Sequence, residues 1–296
     1  MNHSVLIHQI SLWREYQQQW QVEGHRVALV ATMGNLHEGH FSLVKMAQAQ
    51  ADKVVVSIFV NPLQFGPNED YDRYPRTLDA DVRALSELGV DVIFAPSVSE
   101  VYPLSLDAAI ASDGFKLVPP SSLTDTLCGL SRPEHFTGVA TVVLKLFNMI
   151  QPQLAVFGEK DYQQLTIIKR MVSALNLPIW IISAPTHRAE DGLALSSRNQ
   201  YLSTKERIQA ASLYRALQDV KQGLIAKTSI DYLINQATQD LLNRGFDAVD
   251  YLTVRHPLTL APVSRLGVEG AVVLVAAQLG KTRLIDNLVV EGARLA

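Results

Sequence analysis

The sequence predicts an α/β fold: a doubly wound, Rossmann-like parallel sheet followed by a smaller α+β domain at the C-terminal end. Three observations carry this. Short, nearly continuous apolar runs at 27–31 and 53–59 read as strands buried on both faces. These runs alternate with amphipathic helical stretches up to about residue 185, the pattern of a parallel sheet with crossover helices. Beyond Ala184-Pro185 the alternation stops, and two helices are followed by three strand-like segments. The domains are therefore placed at 1–185 and 186–296.

Residues 11–21 read as a helix with Leu12, Trp13, Tyr16 and Trp20 on one stripe and Gly24 placed to stop it. The run 27–31 breaks at Thr32-Met33-Gly34 and gives way to a helix carrying Leu43, Val44 and Ala47 inward. The run 53–59 enters Val60-Asn61-Pro62, where proline ends sheet pairing. The polar, aromatic loop 63–76 is long enough to suggest function. Thr77 is placed to cap a helix bearing Leu78, Val82, Leu85 and Leu88, with Asp79 and Asp81 in its first turn. Strands are expected at 91–95, 153–157 and 178–183, and helices at 137–150 and 162–175. The stretch 97–130, with Pro119-Pro120, reads as an excursion from the sheet. In the second domain helices are expected at 203–226 and 230–243, and strands at 248–255, 271–277 and 283–290.

Composition narrows the class. Apolar residues make up 48% and charged residues 19%, ample for a core. A net charge of −3 argues against a nucleic-acid partner. The single cysteine, Cys128, leaves no internal disulfide and fits a reducing compartment. No signal-peptide pattern opens the chain, and no apolar run approaches the roughly 20 residues of a membrane span. A cytoplasmic protein without a membrane partner is expected.

Three junctions carry candidate chemistry. His37 and His40 sit where the strand 27–31 turns into a helix, a place where unpaired N–H groups suit phosphate. A zinc-protease motif would need its histidines four apart on a helix face, and these are three apart with Gly39 between them. They could equally be two surface histidines at a helix start. Gly158-Glu159-Lys160-Asp161 is a second strand-to-helix junction, offering a cation and a carboxylate or simply a capped helix start. Leu195-Ser196-Ser197-Arg198-Asn199 offers hydroxyls and a guanidinium suited to polyphosphate, or an ordinary solvated loop. Their convergence on one edge of the sheet favours a nucleotide site. Neither a Walker-type loop nor a Gly-x-Gly-x-x-Gly turn is present.

Six motifs together, MGNLHEGH (33–40), FVNPLQFG (59–66), YPRT (74–77), RPEHF (132–136), GEKDYQQ (158–164) and DGLALSSRN (191–199), resemble the pantothenate synthetase family, the AMP-forming pantoate–β-alanine ligases of the nucleotidyltransferase superfamily. The resemblance runs the length of the chain. It implies ATP-dependent condensation of pantoate with β-alanine through a pantoyl adenylate, releasing AMP and pyrophosphate. It also implies that Met33, Gly34, Asn35, Leu36, His37, Glu38, Gly39 and His40 line the ATP site, with His40 the catalytic acid and His37 beside it. Gly158, Glu159, Lys160 and Asp161 would bind ATP, Lys160 at phosphate and Asp161 at ribose. His187 would meet the adenine, and Leu195, Ser196, Ser197 and Arg198 would close over the phosphates, with Lys160 and Arg198 catalytic. Gln64 and Gln164 would hold pantoate, Gln64 also lying near β-alanine. Asp81, with Asp79 as a second candidate, would help place Mg²⁺. A homodimer is implied, and the second domain would act as a lid, since an acyl adenylate must be kept from water. Asn35, Glu134 and His187 depart from the family pattern, where a small apolar residue, a glycine and an aliphatic residue are usual. A smaller nucleotidyltransferase would lack the paired glutamines, and a non-catalytic nucleotide-binding regulator would be expected to have lost a phosphate-gripping motif.

Overall fold

Val27, Ala28, Leu29 and Val30 are buried, so β2 (Val27–Thr32) has apolar neighbours on both faces, as its unbroken hydrophobic sequence requires. The computed structural model describes residues 4–67, 69–103 and 114–292. Around β2 lie β1 (Val5–Ile7), β3 (Lys53–Ile58), β4 (Val92–Phe94), β5 (Leu154–Gly158) and β6 (Trp180–Ala184). They form one parallel sheet in the order β1-β4-β3-β2-β5-β6. The chain winds outward from β2 in one direction and from β5 in the other. The crevice at the carboxyl ends of β2 and β5 is thus the topological switch point, where α/β sheets bind ligands.

The helices fall close to the predicted positions. They are α1 (Ile10–Val22), α2 (Glu38–Gln48) and α3 (Leu78–Glu87), then His135–Ile150 and Tyr162–Ala174. Trp13 of α1 is fully buried and donates from its indole to the Met149 carbonyl at 2.9 Å, which ties the N-terminal helix to His135–Ile150. The short strand β1 had no sequence signal of its own, because three residues give too little alternation to register. Thr77 occupies the N-cap of α3 but does not cap it, since its hydroxyl is turned to Asp81. Part of the expected excursion, residues 104–113, lies outside the described residues; Val98–Val101, Ser121–Thr124 and Leu127–Ser131 are short helical turns.

The second sheet is antiparallel, with β7 (Ala248–Arg255), β8 (Ala271–Leu279) and β9 (Thr282–Val290) in sequence order. Helices Ser212–Ile225 and Ile230–Asn243 supply Leu213, Leu217, Val220 and Leu241 to a core shared with Val273, Val275 and Leu284. The single helix expected at 203–226 is two, Thr204–Ala210 and Ser212–Ile225, separated at Ala211. Ser203 and Glu206 form a capping box that fixes the first of them. Among the described residues no helix is long and apolar enough to cross a membrane.

The chain forms two compact units. One runs to Gly158 and resumes at Ile167–Ala184; the other comprises Glu159–Thr166 and everything from Pro185. The eight-residue segment after β5 thus packs with the second sheet, although it follows a strand of the first.

One close approach shapes the first unit. Gly138, in helix His135–Ile150, lies so near the backbone of Leu63 that a β-carbon there would come within 2.2 Å of the Leu63 oxygen and 2.8 Å of the Gln64 nitrogen. Only glycine lets the helix reach this loop. Gly138→Ala is expected to destabilise the first unit by about 1–3 kcal/mol through overpacking, measured as a lower urea midpoint.

Candidate functional site

The histidine turn begins where β2 leaves the sheet. Gly34 adopts φ +81°, and Asn35, the next residue, sits at φ +52°, a left-handed conformation that asparagine tolerates better than most side chains. Asn35, which departs from the pattern that the resemblance implies, is therefore accommodated by backbone geometry. Glu134, the second departure from the pattern that the resemblance implies, likewise has φ +63°.

Asp81 explains how the turn is held. Its carboxylate accepts the N–H groups of Asn35 and Leu36, each at 2.9 Å, and the Thr77 hydroxyl at 3.0 Å. It is 4% exposed. These three donors balance a buried carboxylate, and they leave one lone pair of Oδ1, which the Mg²⁺ role implied by the resemblance would use. Among the described residues no cluster of three or more histidine, cysteine or acidic side chains could hold a metal ion.

The two histidines form a reciprocal cap at the start of α2. His37 Nδ1 accepts the Gly39 N–H at 3.1 Å, and His40 Nδ1 accepts the His37 N–H at 3.3 Å. The rings lie 4.1 Å apart, centroid to centroid. A backbone N–H only donates, so both Nδ1 atoms carry lone pairs and the ring proton of each neutral imidazole resides on Nε2. Both histidines thereby present an N–H donor at the ring edge away from the cap.

Gln64, also in the first unit, is pinned by its backbone. Its carbonyl accepts His135 Nδ1 at 2.7 Å and an Arg132 guanidinium N–H at 3.3 Å. The His135 proton therefore sits on Nδ1, and Nε2 accepts from Arg132 at 3.0 Å. Arg132 is locked in turn by Glu69 through Nε at 2.7 Å and a second, parallel bond. The Gln64 side chain donates to the Met33 sulfur at 2.9 Å and accepts from Asn61 at 3.2 Å. Asn61, 1% exposed, is itself held by the buried Tyr102 hydroxyl, whose proton affinity burial raises. A thioether is a weak acceptor, so the Gln64 amide is oriented without being committed. Glu69, Arg132, His135 and Asn61 were not singled out from sequence, although the RPEHF and FVNPLQFG motifs contain all but Glu69.

The second unit carries the remaining candidates. Lys160 and Asp161 lie in a 3₁₀ turn, Glu159–Asp161, with Lys160 partly buried and Asp161 exposed. Gln164 is in the first turn of the helix that follows. His187 and Leu195 are joined in a small hairpin, the Leu195 N–H donating to the His187 carbonyl at 3.0 Å. The hairpin brings the expected adenine residue alongside the expected phosphate loop. Ser196 caps the 3₁₀ helix Ser197–Tyr201 by accepting the Arg198 N–H at 3.3 Å. Asp191 is gripped by Arg207, which holds its carboxyl below the ordinary range.

The family model described as pantoate-beta-alanine ligase matches residues 5–289. The chain belongs to the pantoate–β-alanine ligase family. It is 53% identical over 274 residues to the pantothenate synthetase of Idiomarina loihiensis, covering 93% of this chain and 95% of that one. It is 51% identical over 282 residues to that of Alcanivorax borkumensis, covering 95% and 96%. Among solved structures, the pantothenate synthetase of Thermus thermophilus superposes with a TM-score of 0.89 at 43% identity, over 97% of this chain and 99% of that one. The pantoate–β-alanine ligase of Francisella tularensis, complexed with beta-gamma ATP and β-alanine, does so with a TM-score of 0.79 at 33% identity, over 97% of each.

The Glu69–Arg132 pair gives this part of the family fold a pH signature. Burial works against the ionised Glu69 carboxylate, but the Arg132 guanidinium bonded to it, the His135 ring and the Gly66 N–H outweigh that and hold the carboxyl below the ordinary range. A depressed acid contributes stability in full above its unfolded value of about 4.3 and loses it as pH falls through the lower folded value. The urea stability of the wild-type chain should exceed that of Glu69→Gln by a constant amount from about pH 7 to about pH 5. The two should converge on further acidification; a gap that widens there would remove the ion pair as its source.

Proposed function

We propose that the chain condenses pantoate with β-alanine, in the cytoplasm and as a homodimer, consuming ATP and releasing AMP and pyrophosphate. A pantoate carboxylate oxygen attacks the α-phosphorus of ATP, and the bond to the bridging oxygen of the β-phosphate breaks. The product is pantoyl adenylate. The amine of β-alanine then attacks the acyl carbon, AMP departs with the former carboxylate oxygen, and the amine proton is lost to solvent.

The observation that supports this most directly is the paired imidazole cap. It orients two Nε2–H donors at the switch point of the sheet, where phosphate oxygens gaining charge in the transition state would be met. His40 thus holds its Nε2 proton toward those oxygens, where it would act as the acid that the resemblance implies. Met33 to His40 contact ATP, with Gly158 to Asp161, His187 and Leu195 to Arg198 as the further nucleotide contacts. Lys160 and Arg198 offset charge on the leaving pyrophosphate. Gln64 and Gln164 hold pantoate by neutral amides, which add no charge to an anionic complex. Mg²⁺ enters as part of the nucleotide substrate, carrying its own waters and phosphate ligands.

Two measurements test the reading. Incubation with ATP, pantoate and β-alanine should yield AMP, pyrophosphate and the amide product in equal amounts; AMP formation that does not depend on pantoate would refute it. His40→Ala should lower pantoate-dependent ATP–pyrophosphate exchange by about 10²–10³-fold. Because the amide oxygen of asparagine replaces Nδ1 and not Nε2, His40→Asn should recover the thermal stability lost in His40→Ala without recovering the rate. A wild-type exchange rate in either variant removes His40 from the chemistry.

A further inference from the structure

We infer that Asn287 is a positioning residue for Lys160: its side-chain amide clamps two successive carbonyls of the lysine-bearing turn and so sets where the ammonium group reaches. The inference rests on the reading of Lys160 as a phosphate ligand.

The clamp is specific in geometry. Asn287 Nδ2 donates to the Glu159 carbonyl at 2.8 Å and to the Lys160 carbonyl at 2.9 Å. Both hydrogens of one amide are used, which fixes the turn in position and in tilt. Asn287 is only 4% exposed, so water does not compete for these bonds. A lysine side chain is a flexible stem, and the volume it samples is set by the backbone that carries it. Misplacement of such a group by an ångström is enough to cost orders of magnitude in rate.

Asn287 is itself held from behind. Its N–H donates to Asp286 Oδ1 at 2.7 Å, and its carbonyl accepts from Arg188 at 3.1 Å. Asp286 is 3% exposed and takes both terminal nitrogens of Arg188, at 2.6 and 2.9 Å. Burial pushes the Asp286 carboxyl upward, and Arg188 opposes that. The Arg188 guanidinium lies 3.9 Å from the centre of the Tyr214 ring. Successive residues of a strand face opposite sides, so β9 presents Asp286 to Arg188 on one face and Asn287 to the lysine turn on the other. Arg188 directly follows His187. One point on β9 thus fastens two of the expected nucleotide-binding segments.

An asparagine that merely satisfied buried carbonyls would show the same bonds. A double-mutant cycle separates the two roles. Steady-state kinetics and thermal midpoints would be measured for the full chain and for Asn287→Ala, Lys160→Ala and the double variant, with ATP varied at saturating pantoate and β-alanine. Asn287→Ala is expected to raise the KM for ATP or lower kcat about tenfold. In the Lys160→Ala background the same change should alter the kinetics by less than about twofold, because the group being positioned is gone. If Asn287→Ala does not fold, Asn287→Ser, which keeps one donor, takes its place in the cycle with a smaller effect. Independent, multiplicative effects would overturn the positioning role, as would wild-type kinetics in the Asn287 variants. Wild-type kinetics in Lys160→Ala would instead overturn the phosphate reading of Lys160, a distinct outcome.

Discussion

The buried carboxylate of Asp81 holds the rest of the first unit's chemistry in place. Backbone that leaves a parallel strand and turns sharply has N–H groups with no sheet partner, and a carboxylate taken from water has oxygens with no donor. At Asn35 and Leu36 each supplies what the other lacks. Because the turn is fixed, the next residue, His37, reaches its N–H to the His40 ring, and α2 begins there. Helix α3, which carries Asp81, is expected to touch no substrate, yet it decides where the histidines stand. Truncating Asp81 would take the acceptor from both N–H groups at once, so the turn depends strongly on this side chain.

Much of this was legible in the sequence. Apolar runs gave β2, β3 and β5 to within one or two residues, because strands buried on both faces have no other way to be written; the edge strand β6 was found equally closely, although Trp180 on it is exposed. The histidine turn and the lysine turn were found as strand-to-helix junctions. What stayed hidden were the partners that lie far away in the chain. Asp81 reads as an ordinary acid in a first helical turn, and nothing local distinguishes a carboxylate that caps its own helix from one that serves a turn 46 residues earlier. Thr77 reads as a cap for the same reason. The pair Asp286-Asn287 did leave a trace: two adjacent polar residues interrupt the apolar strand TRLIDNLVV, where a half-buried strand would alternate.

The glutamine loop and the lysine turn are held by one physical logic. In each, donors from a remote motif seize backbone carbonyls beneath a side chain that is proposed to meet substrate. Arg132 and His135 do this for Gln64, and Asn287 does it for Glu159 and Lys160. The donors differ in charge, and the difference suits their surroundings. Arg132 carries its own counter-ion in Glu69, whereas a neutral amide beside Lys160 adds no repulsion to a cation already present.

The alternation of Asp286 and Asn287 across β9 also limits how this strand can drift over evolutionary time. Surface loops absorb insertions and deletions at little cost, and strands usually absorb substitutions. A single residue gained or lost just before this pair would rotate the strand by one position. A gain would carry the carboxylate to the lysine turn, and a loss would carry the amide to Arg188. In either case the buried guanidinium would lose its counter-ion, and after a gain two backbone carbonyls would face a carboxylate. The number of residues between the β8–β9 connection and the pair is therefore bound to the register of β9.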